Sequence, residues 1–166
     1  DISSHYVWTE DVLSPSDHLD KEELRGMFKL REKFILSIGT ISTDKNQRVL
    51  LDAYRYICKK FPDTIQDIDL VFAGAKGDGA NDFLRELENM NKETGGRVKY
   101  LGYVTNQAKF ALLENAHVFV SLPSYEGGFA FLPMEAAAFG TPVLLSDIAP
   151  FKENLGKAAV FADPQN

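Results

Sequence analysis

Apolar residues in this chain occur in short runs that are separated by longer amphipathic stretches. The runs at residues 34–38, 70–73, 98–101, 118–121, 143–145 and 159–161 have the length of strands and are mostly apolar. Continuous rather than alternating apolarity is typical of strands that are buried on both faces, as in a parallel sheet. The stretches between them carry apolar residues three or four positions apart, which predicts helices.

Two of the predicted helices have a clear apolar stripe. The first is predicted to open at Lys45 and Asn46 and to run to about residue 60. The second carries Phe83 and Met90, and the glycines at 95–96 end it. Further helices are predicted at about residues 17–30, after residue 105, at 131–139 and at 150–155. Strands and helices therefore alternate along the chain.

Regular alternation predicts an α/β fold, a doubly wound parallel sheet of the Rossmann-like kind with right-handed crossovers. Ligands of such folds bind beyond the carboxyl ends of the strands. We therefore expect the loops at residues 39–45, 74–79, 102–106 and 121–128 to form the binding edge. Residues 1–30 are predicted to be a lead-in segment and helix, and residues 31–166 to be one domain.

Composition narrows the class of function. The 166 residues carry a net charge of −6, with a pI of about 5.1, which argues against a nucleic-acid partner. The single cysteine, Cys58, excludes an internal disulfide and favours a reducing, cytoplasmic compartment. No apolar run approaches the length of a membrane span, and the three histidines show no spacing that suggests a metal site.

The stretch from residue 121 to 147 carries the strongest candidate chemistry. Glu126, Gly127 and Gly128 follow a predicted strand and form a predicted turn before the next helix. A glycine turn at a helix start presents unpaired backbone N–H groups, which suit a phosphate. Glu126 and Glu135 stand on either side of this predicted phosphate site.

Four sequence blocks, in this order, carry a family resemblance. They are FILSIGTISTDKN at 34–46, LGYVTNQAKFALLENAHVFVSLPSYEGG at 101–128, LPMEAAAFGTPVLLSD at 132–147 and AAVFADP at 158–164. Together they resemble the retaining group 1 glycosyltransferases of the two-domain GT-B architecture, over about residues 33–166. The first and last blocks look most like the mannosyltransferase-type members of O-antigen and lipopolysaccharide pathways.

The resemblance implies a C-terminal, donor-binding half of a hexosyltransferase. Such an enzyme moves a sugar with retention from a nucleotide diphosphate sugar, here a GDP- or UDP-sugar, to an acceptor alcohol, and needs no cofactor and no obligatory metal. The acceptor is expected on the enzyme's own N-terminal domain, and membrane contact at the inner face would involve only that half. Residues 1–166 alone are therefore expected not to catalyse transfer.

Three positions are matched to the charged residues of the family. Lys45 corresponds to the lysine that contacts the donor phosphates, and Glu135 to the second glutamate of the E-x7-E motif, which hydrogen-bonds the ribose. Eight residues rather than seven separate Glu126 from Glu135, so that Gly127 takes the first glutamate's place. Either the turn carries an extra residue and Glu126 remains the catalytic carboxylate near the reacting carbon, or that role is lost.

The remaining implied contacts are largely made by backbone and apolar groups. Gly39 and Thr40 correspond to the loop near the pyrophosphate, and Tyr103 and Val104 to the segment that lines the base. Backbone N–H groups of Gly127, Gly128 and Phe129 are implied to bind the diphosphate. Asp44 and Thr40 stand where relatives place an arginine beside the lysine, which leaves Arg48 or Lys76 as candidates to assist Lys45.

Two alternatives stay open. A dinucleotide-dependent oxidoreductase would use a similar fold, but Gly74, Gly77 and Gly79 do not form G-x-G-x-x-G and follow the second strand. We interpret those glycines as a flexible turn. A non-catalytic nucleotide-binding module is the other alternative, because Glu126 is displaced and the arginine is absent.

Overall fold

The computed structural model describes residues 19–125 and 130–164, and within them the strands form one parallel sheet of order β3-β2-β1-β4-β5-β6. The strands are β1 Lys33–Ile38, β2 Ile68–Ala73, β3 Val98–Tyr100, β4 Val118–Ser121, β5 Val143–Ser146 and β6 Val160–Ala162. The helices are α1 Lys21–Phe28, α2 Gln47–Lys60, α3 Pro62–Ile65, α4 Ala80–Glu93, α5 Asn106–Asn115, α6 Phe131–Ala138 and α7 Ala149–Leu155, with 3₁₀ turns at Thr43–Lys45 and Gly156–Ala158. The predicted doubly wound α/β fold is confirmed.

Two apolar cores cover the two faces of the sheet. On β1, Phe34 and Leu36 point into the core that α1, α5, α6 and α7 complete, and Ile35 points into the core under α2, α3 and α4. Successive strand residues alternate in this way because side chains along a strand point to opposite faces. Leu24 of α1 is fully buried in the first core. The helix that the sequence assigns to the lead-in segment therefore packs as part of the domain.

Two boundaries differ from the sequence prediction. Helix α2 begins at Gln47 rather than at Lys45, because Asn46 has a left-handed φ of 56° and separates α2 from the preceding 3₁₀ turn. Asparagine tolerates this conformation better than most residues. After α2, Pro62 starts the short helix α3, which the sequence did not predict, and its fixed φ and missing N–H cause no loss at that position.

The strand order places a switch point between β1 and β4. The chain goes from β1 outward to β2 and β3, then crosses back to β4 and continues to β5 and β6. Ile35 pairs with Val118, and Leu36 with Phe119, so that both strands end at the same edge. Connections diverge there and leave a crevice beyond Ile38 and Ser121. Across the described residues, no helix has both the length and the apolarity needed to span a bilayer.

Candidate functional site

A cleft of about 240 Å³ opens at the switch point between β1 and β4. It is lined by the end of β1 and its loop, the end of β4, the start of α6, and α7, through Ser37, Ile38, Gly39, Lys45, Gln47, Ser121, Ala130, Phe131, Leu132, Pro133 and Phe151. The fold thus brings the first strand-end loop and the start of the sixth helix into one concave surface, as the strand-end rule predicts.

Lys45 gives this cleft its charge. It ends the 3₁₀ turn Thr43–Lys45 and is half-buried. Among the described residues that line the cleft, no carboxylate accompanies it, and Ser37, Gln47 and Ser121 add neutral polar groups. Helix α6 starts at the cleft, and its N-cap, Ala130, makes no side-chain capping bond. Among the described lining residues, a lysine, neutral donors and the positive end of a helix together suit an anion.

The acidic neighbour of Lys45 is held outside the cleft. Ser42 Oγ donates to Asp44 Oδ1 at 2.5 Å, and this hydrogen bond lowers the pKa of the exposed Asp44 carboxyl. Arg48 pairs with Glu86 of α4 at 3.1 Å and lines a separate hollow between α2 and α4. Arg48 therefore does not support Lys45 in this structure. Lys76 lies exposed on the loop after β2.

Backbone hydrogen bonds join the loops that follow β1, β2 and β3. Gly39 N–H donates to the Ala73 carbonyl at 2.9 Å, and Gly77 N–H donates to the Ile41 carbonyl at 2.9 Å. Gly74 N–H in turn donates to the Gly102 carbonyl at 2.8 Å. The three loops thus extend the sheet beyond its strands and support the loop that carries Lys45.

The glycines after β2 are required by this close packing. A Cβ on Gly74 would lie 1.9 Å from the Gly39 carbonyl oxygen, and one on Gly77 would lie 2.7 Å from Thr40 Cγ2. Tyr100 Oη also donates to the Gly74 carbonyl at 2.8 Å. The segment at 74–79 is therefore packed against the site loop and is not the loose turn that the sequence suggested.

Glu135 lies between two helices. Lys109 Nζ on α5 donates to both Glu135 oxygens, Oε1 and Oε2, at 2.9 Å each. The two side chains are 19% and 18% exposed. Glu135 follows Pro133, the last residue of α6 that lines the cleft, by two positions, and its carboxylate is directed towards α5.

The base-lining segment exposes one residue and buries the other. Val104 is half-buried and packs against the core, whereas the Tyr103 side chain is 81% exposed. Thr40 is also exposed, and its carbonyl accepts from Gln47 Nε2 at 2.8 Å. On the loop after β1, Gly39 lines the cleft and Thr40 does not.

The predicted catalytic Glu126, together with Gly127, Gly128 and Phe129, lies outside the described residues. The convergence of Lys45 and the glycine turn on one pyrophosphate therefore stays a prediction. Within residues 19–125 and 130–164, no group of three or more His, Cys, Asp or Glu side chains is placed to hold a metal ion.

Sequence reasoning missed several site residues. Ser37 lies one residue before the end of β1 and was not predicted, whereas Ser121, which ends β4, falls in the predicted loop at 121–128 but was given no role of its own. Gln47 is 7% exposed, lines the cleft and holds the loop at Thr40, but its position in a helical stripe gave no indication of this role. Lys109 is separated from Glu135 by 26 positions, and only helix packing reveals the pair.

Comparisons with known proteins agree on one family. Residues 20–166 match the family described as glycosyl transferases group 1. The O-antigen chain mannosyltransferase B of Escherichia coli is 33% identical over 133 residues, which are 80% of this chain and 33% of that protein. Mannosylfructose-phosphate synthase of Agrobacterium fabrum is 26% identical over 155 residues, 90% of this chain and 34% of that protein. The chain spans about a third of the length of these relatives.

Solved structures agree on the fold. An E. coli structure described as trehalose-6-phosphate bound with UDP-2-fluoro glucose superposes with a TM-score of 0.73 and 18% identity. The superposition covers 87% of this chain and 36% of that one. At this identity the likeness shows a shared fold alone.

Proposed function

The chain belongs to the group 1 glycosyl transferases, and from that premise we propose that it binds the nucleotide diphosphate sugar donor of a hexosyltransferase. The observation that carries the proposal is the cleft at the switch point, where Lys45 and the start of α6 lie together. The E. coli structure that shares the fold is described as bound with UDP-2-fluoro glucose. For this chain we propose a uridine or guanosine diphosphate sugar as the donor.

The chemistry assigned to the cleft is electrostatic. When the bond between the sugar and the diphosphate breaks, negative charge develops on the departing phosphate oxygens. Lys45 and the positive end of α6 would stabilise that charge, and Ser37, Gln47 and Ser121 would offer neutral donors. Groups that are held in place before the reaction need no reorganisation during it, which is why such sites accelerate group transfer.

The predicted contacts of the diphosphate, the ribose and the base define one orientation of the nucleotide at the carboxyl ends of the strands. The diphosphate would occupy the cleft, the ribose would lie towards Glu135, and the base would lie towards Tyr103, whose ring is exposed. Base, ribose and diphosphate are joined in that order, and Glu135 contacts Lys109 of α5, the helix that follows the Tyr103 loop, while its own helix starts at the cleft.

The rest of the enzyme is also part of the proposal. We place this chain as the C-terminal half of a GT-B enzyme, with the acceptor bound by an N-terminal domain and the sugar transferred with retention. The O-antigen chain mannosyltransferase relative favours a mannosyl donor and glycan or lipopolysaccharide synthesis. We place that synthesis in the cytoplasm. Glu126 would serve as the carboxylate near the reacting carbon, and no metal would be required.

The family match leaves the dinucleotide-dependent oxidoreductase without support. A nucleotide-binding module without catalysis remains a second candidate, because eight residues separate Glu126 from Glu135 instead of the seven that the family has. Both candidates predict binding to the cleft, and turnover by an enzyme that also contains the acceptor half separates them.

Calorimetry of the 166-residue chain with GDP, UDP and ADP tests the binding cleft. We expect saturable heat with at least one of them. Lys45→Met should weaken that binding about tenfold or more, since a hydrogen bond to a charged group contributes roughly 1.5–3 kcal/mol. Lys59→Met is the matched control, because Lys59 is an exposed lysine near the far end of α2. No heat with any of the nucleotides on folded protein, or equal losses in both variants, would contradict the proposal.

A further inference from the structure

We propose that Lys109 is a positioning residue of the nucleotide site: it holds the Glu135 carboxylate in the orientation that accepts the ribose hydroxyls, and so sets the preference for ribose over deoxyribose. This role rests on the proposed function. Its test must therefore distinguish a failure of the Lys109 role from a failure of nucleotide binding. No sequence motif indicates Lys109, which becomes visible only through its contact with α6.

The ion pair fixes the carboxylate in two ways. A single ammonium contacts both oxygens at the same 2.9 Å, which fixes the direction of the carboxylate and the rotation about its last side-chain bond. Both side chains are mostly buried, so that water competes weakly with the contact. A glutamate on a short helix would otherwise sample several rotamers.

Aromatic rings support the lysine. Lys109 Nζ lies 4.2 Å from the centroid of the Phe110 ring, within the range of a cation–π contact. The Phe110 ring in turn packs against Phe139 at the end of α6, with centroids 6.0 Å apart. The ammonium is therefore held by a carboxylate and a ring at once, and the ring is anchored to the helix that carries Glu135.

The carboxylate still has acceptor capacity. Two carboxylate oxygens offer about four lone-pair positions, and Lys109 uses one on each oxygen. Among the described residues no other donor contacts the Glu135 carboxylate, and 18% of its side chain remains exposed. A pair of vicinal hydroxyls matches the remaining positions, because each oxygen can accept one further hydrogen bond.

The position of the pair fits a ribose. Lys109 lies in the first turn of α5, directly after the loop that exposes Tyr103. Glu135 lies two positions beyond Pro133, the last residue of α6 that lines the cleft. The ion pair therefore joins the helix that follows the proposed base position to the helix that starts at the proposed diphosphate position, which suits the sugar that connects the two.

The test compares a nucleoside diphosphate with its 2′-deoxy counterpart by calorimetry, using GDP or UDP, whichever binds the unaltered chain. We expect the unaltered chain to bind the ribose form about tenfold more tightly, the size of one hydrogen bond to a charged group. Lys109→Met should reduce this ratio to about twofold or less. Adding Lys109→Met to Glu135→Gln should leave the ratio of Glu135→Gln unchanged, because both act through one carboxylate.

Matched variants separate positioning from stability. Lys92→Met removes the lysine of another intramolecular pair, Lys92 with Glu88 on α4 at 3.2 Å, and should keep the tenfold ratio. Lys109→Arg keeps a fork of donors and should retain most of the ratio. If Lys109→Met does not fold, as judged by circular dichroism, the comparison is made with Lys109→Gln.

Each outcome decides the question. Equal ratios in the unaltered chain and in Lys109→Met or Lys109→Gln overturn the positioning role alone. A larger preference for ribose over deoxyribose in those variants would mean that Lys109 blocks the Glu135 carboxylate, which also overturns the positioning role. If the unaltered chain binds neither nucleotide, both this role and the proposed function fail.

Discussion

A carboxylate paired with a lysine lies near the amino ends of the sheet strands, and another lies near their carboxyl ends. The two carboxylates differ in how much hydrogen-bond acceptor capacity remains. Towards the amino edge, Asp69 is fully buried and accepts from the Arg31 backbone N–H at 2.8 Å, from Arg31 Nη1 at 3.0 Å and from Lys99 Nζ. Towards the carboxyl edge, Glu135 is partly exposed and pairs with Lys109. The Asp69 carboxylate is buried with donors of the protein itself, whereas the Glu135 carboxylate can still accept hydrogen bonds from a ligand.

The difference shows which charged clusters deserve a functional interpretation. A buried carboxylate is costly unless cations and hydrogen bonds compensate it, so that a filled cluster such as Asp69 is explained by folding alone. Glu135 combines partial exposure and remaining acceptor capacity with a position where ligands of such folds bind. Neither burial nor ion pairing by itself distinguishes the two.

The largest expected effect comes from breaking the filled cluster. Asp69→Asn should lower the free energy of unfolding by about 3–5 kcal/mol, because it leaves the Arg31 and Lys99 cations without their buried counter-charge. Glu135→Gln should cost less, about 1–2 kcal/mol, because only one cation loses its counter-charge and the glutamine oxygen can still accept from Lys109. Urea denaturation followed by circular dichroism measures both.

The same pair of variants should behave in the opposite order in nucleotide binding. The folded fraction of Asp69→Asn should bind nucleoside diphosphates as the unaltered chain does, whereas Glu135→Gln should bind them more weakly. If the two substitutions cost equal stability, or if Asp69→Asn impairs binding by the folded protein, the contrast between the edges is wrong.

The second expected effect concerns backbone packing at the carboxyl edge. Gly74→Ala should lower the free energy of unfolding by about 2–3 kcal/mol, because its Cβ would lie 1.9 Å from the Gly39 carbonyl oxygen and its φ of 140° disfavours other residues. The displaced Gly39 loop should also weaken nucleotide binding by the folded protein, since that loop leads to Lys45.

Gly95→Ala is the matched control for this substitution. Gly95 also has a positive φ, of 65°, but no heavy atom lies within 4 Å of the added Cβ. It should therefore cost only about 1–2 kcal/mol and leave binding unchanged. If Gly74→Ala binds nucleotide as tightly as Gly95→Ala does, the loop after β2 does not support the site.

The fold was predictable because its signals are local. Each apolar run is long enough for one strand, and the glycines and polar residues after it mark the ends at which ligands bind. Gly39 and Lys45 were found in this way, and both line the cleft. The break at Asn46 was not predicted, because a single left-handed residue leaves little trace in a helical pattern.

The features that were missed depend on contacts between distant segments. The glycine cluster after β2 was visible, but its cause, the approach of Gly74 to Gly39, needs the pairing of β1 with β2. Lys109 and Glu135 meet only because α5 and α6 pack side by side. Sequence periodicity shows which face of a helix is apolar, but not which residue of a neighbouring helix a polar side chain contacts.

The smallest expected effect compares the two edges through a pair of tyrosines at high pH. Tyr54 is 1% exposed and donates to the Ile68 carbonyl at the start of β2, and Tyr100 donates to the Gly74 carbonyl near the carboxyl edge. Burial raises the pKa of both phenols above the ordinary value near 10. The unfolded chain therefore ionises first, so that stability is full below about pH 10 and falls as the pH rises.

Tyr54→Phe should flatten that fall by up to about 1.4 kcal/mol per pH unit above pH 10, the slope expected for one phenol that stays protonated only in the folded state. Tyr100→Phe should flatten it less, because Tyr100 is less completely buried. Urea denaturation at several values between pH 8 and 11 gives the slopes, and absorbance of the phenolate gives the ionisation directly. Parallel declines in Tyr54→Phe and the unaltered chain would show that the buried Tyr54 phenol does not set the alkaline limit of stability. A steeper dependence on Tyr100 than on Tyr54 would instead assign that limit to the edge that carries the cleft.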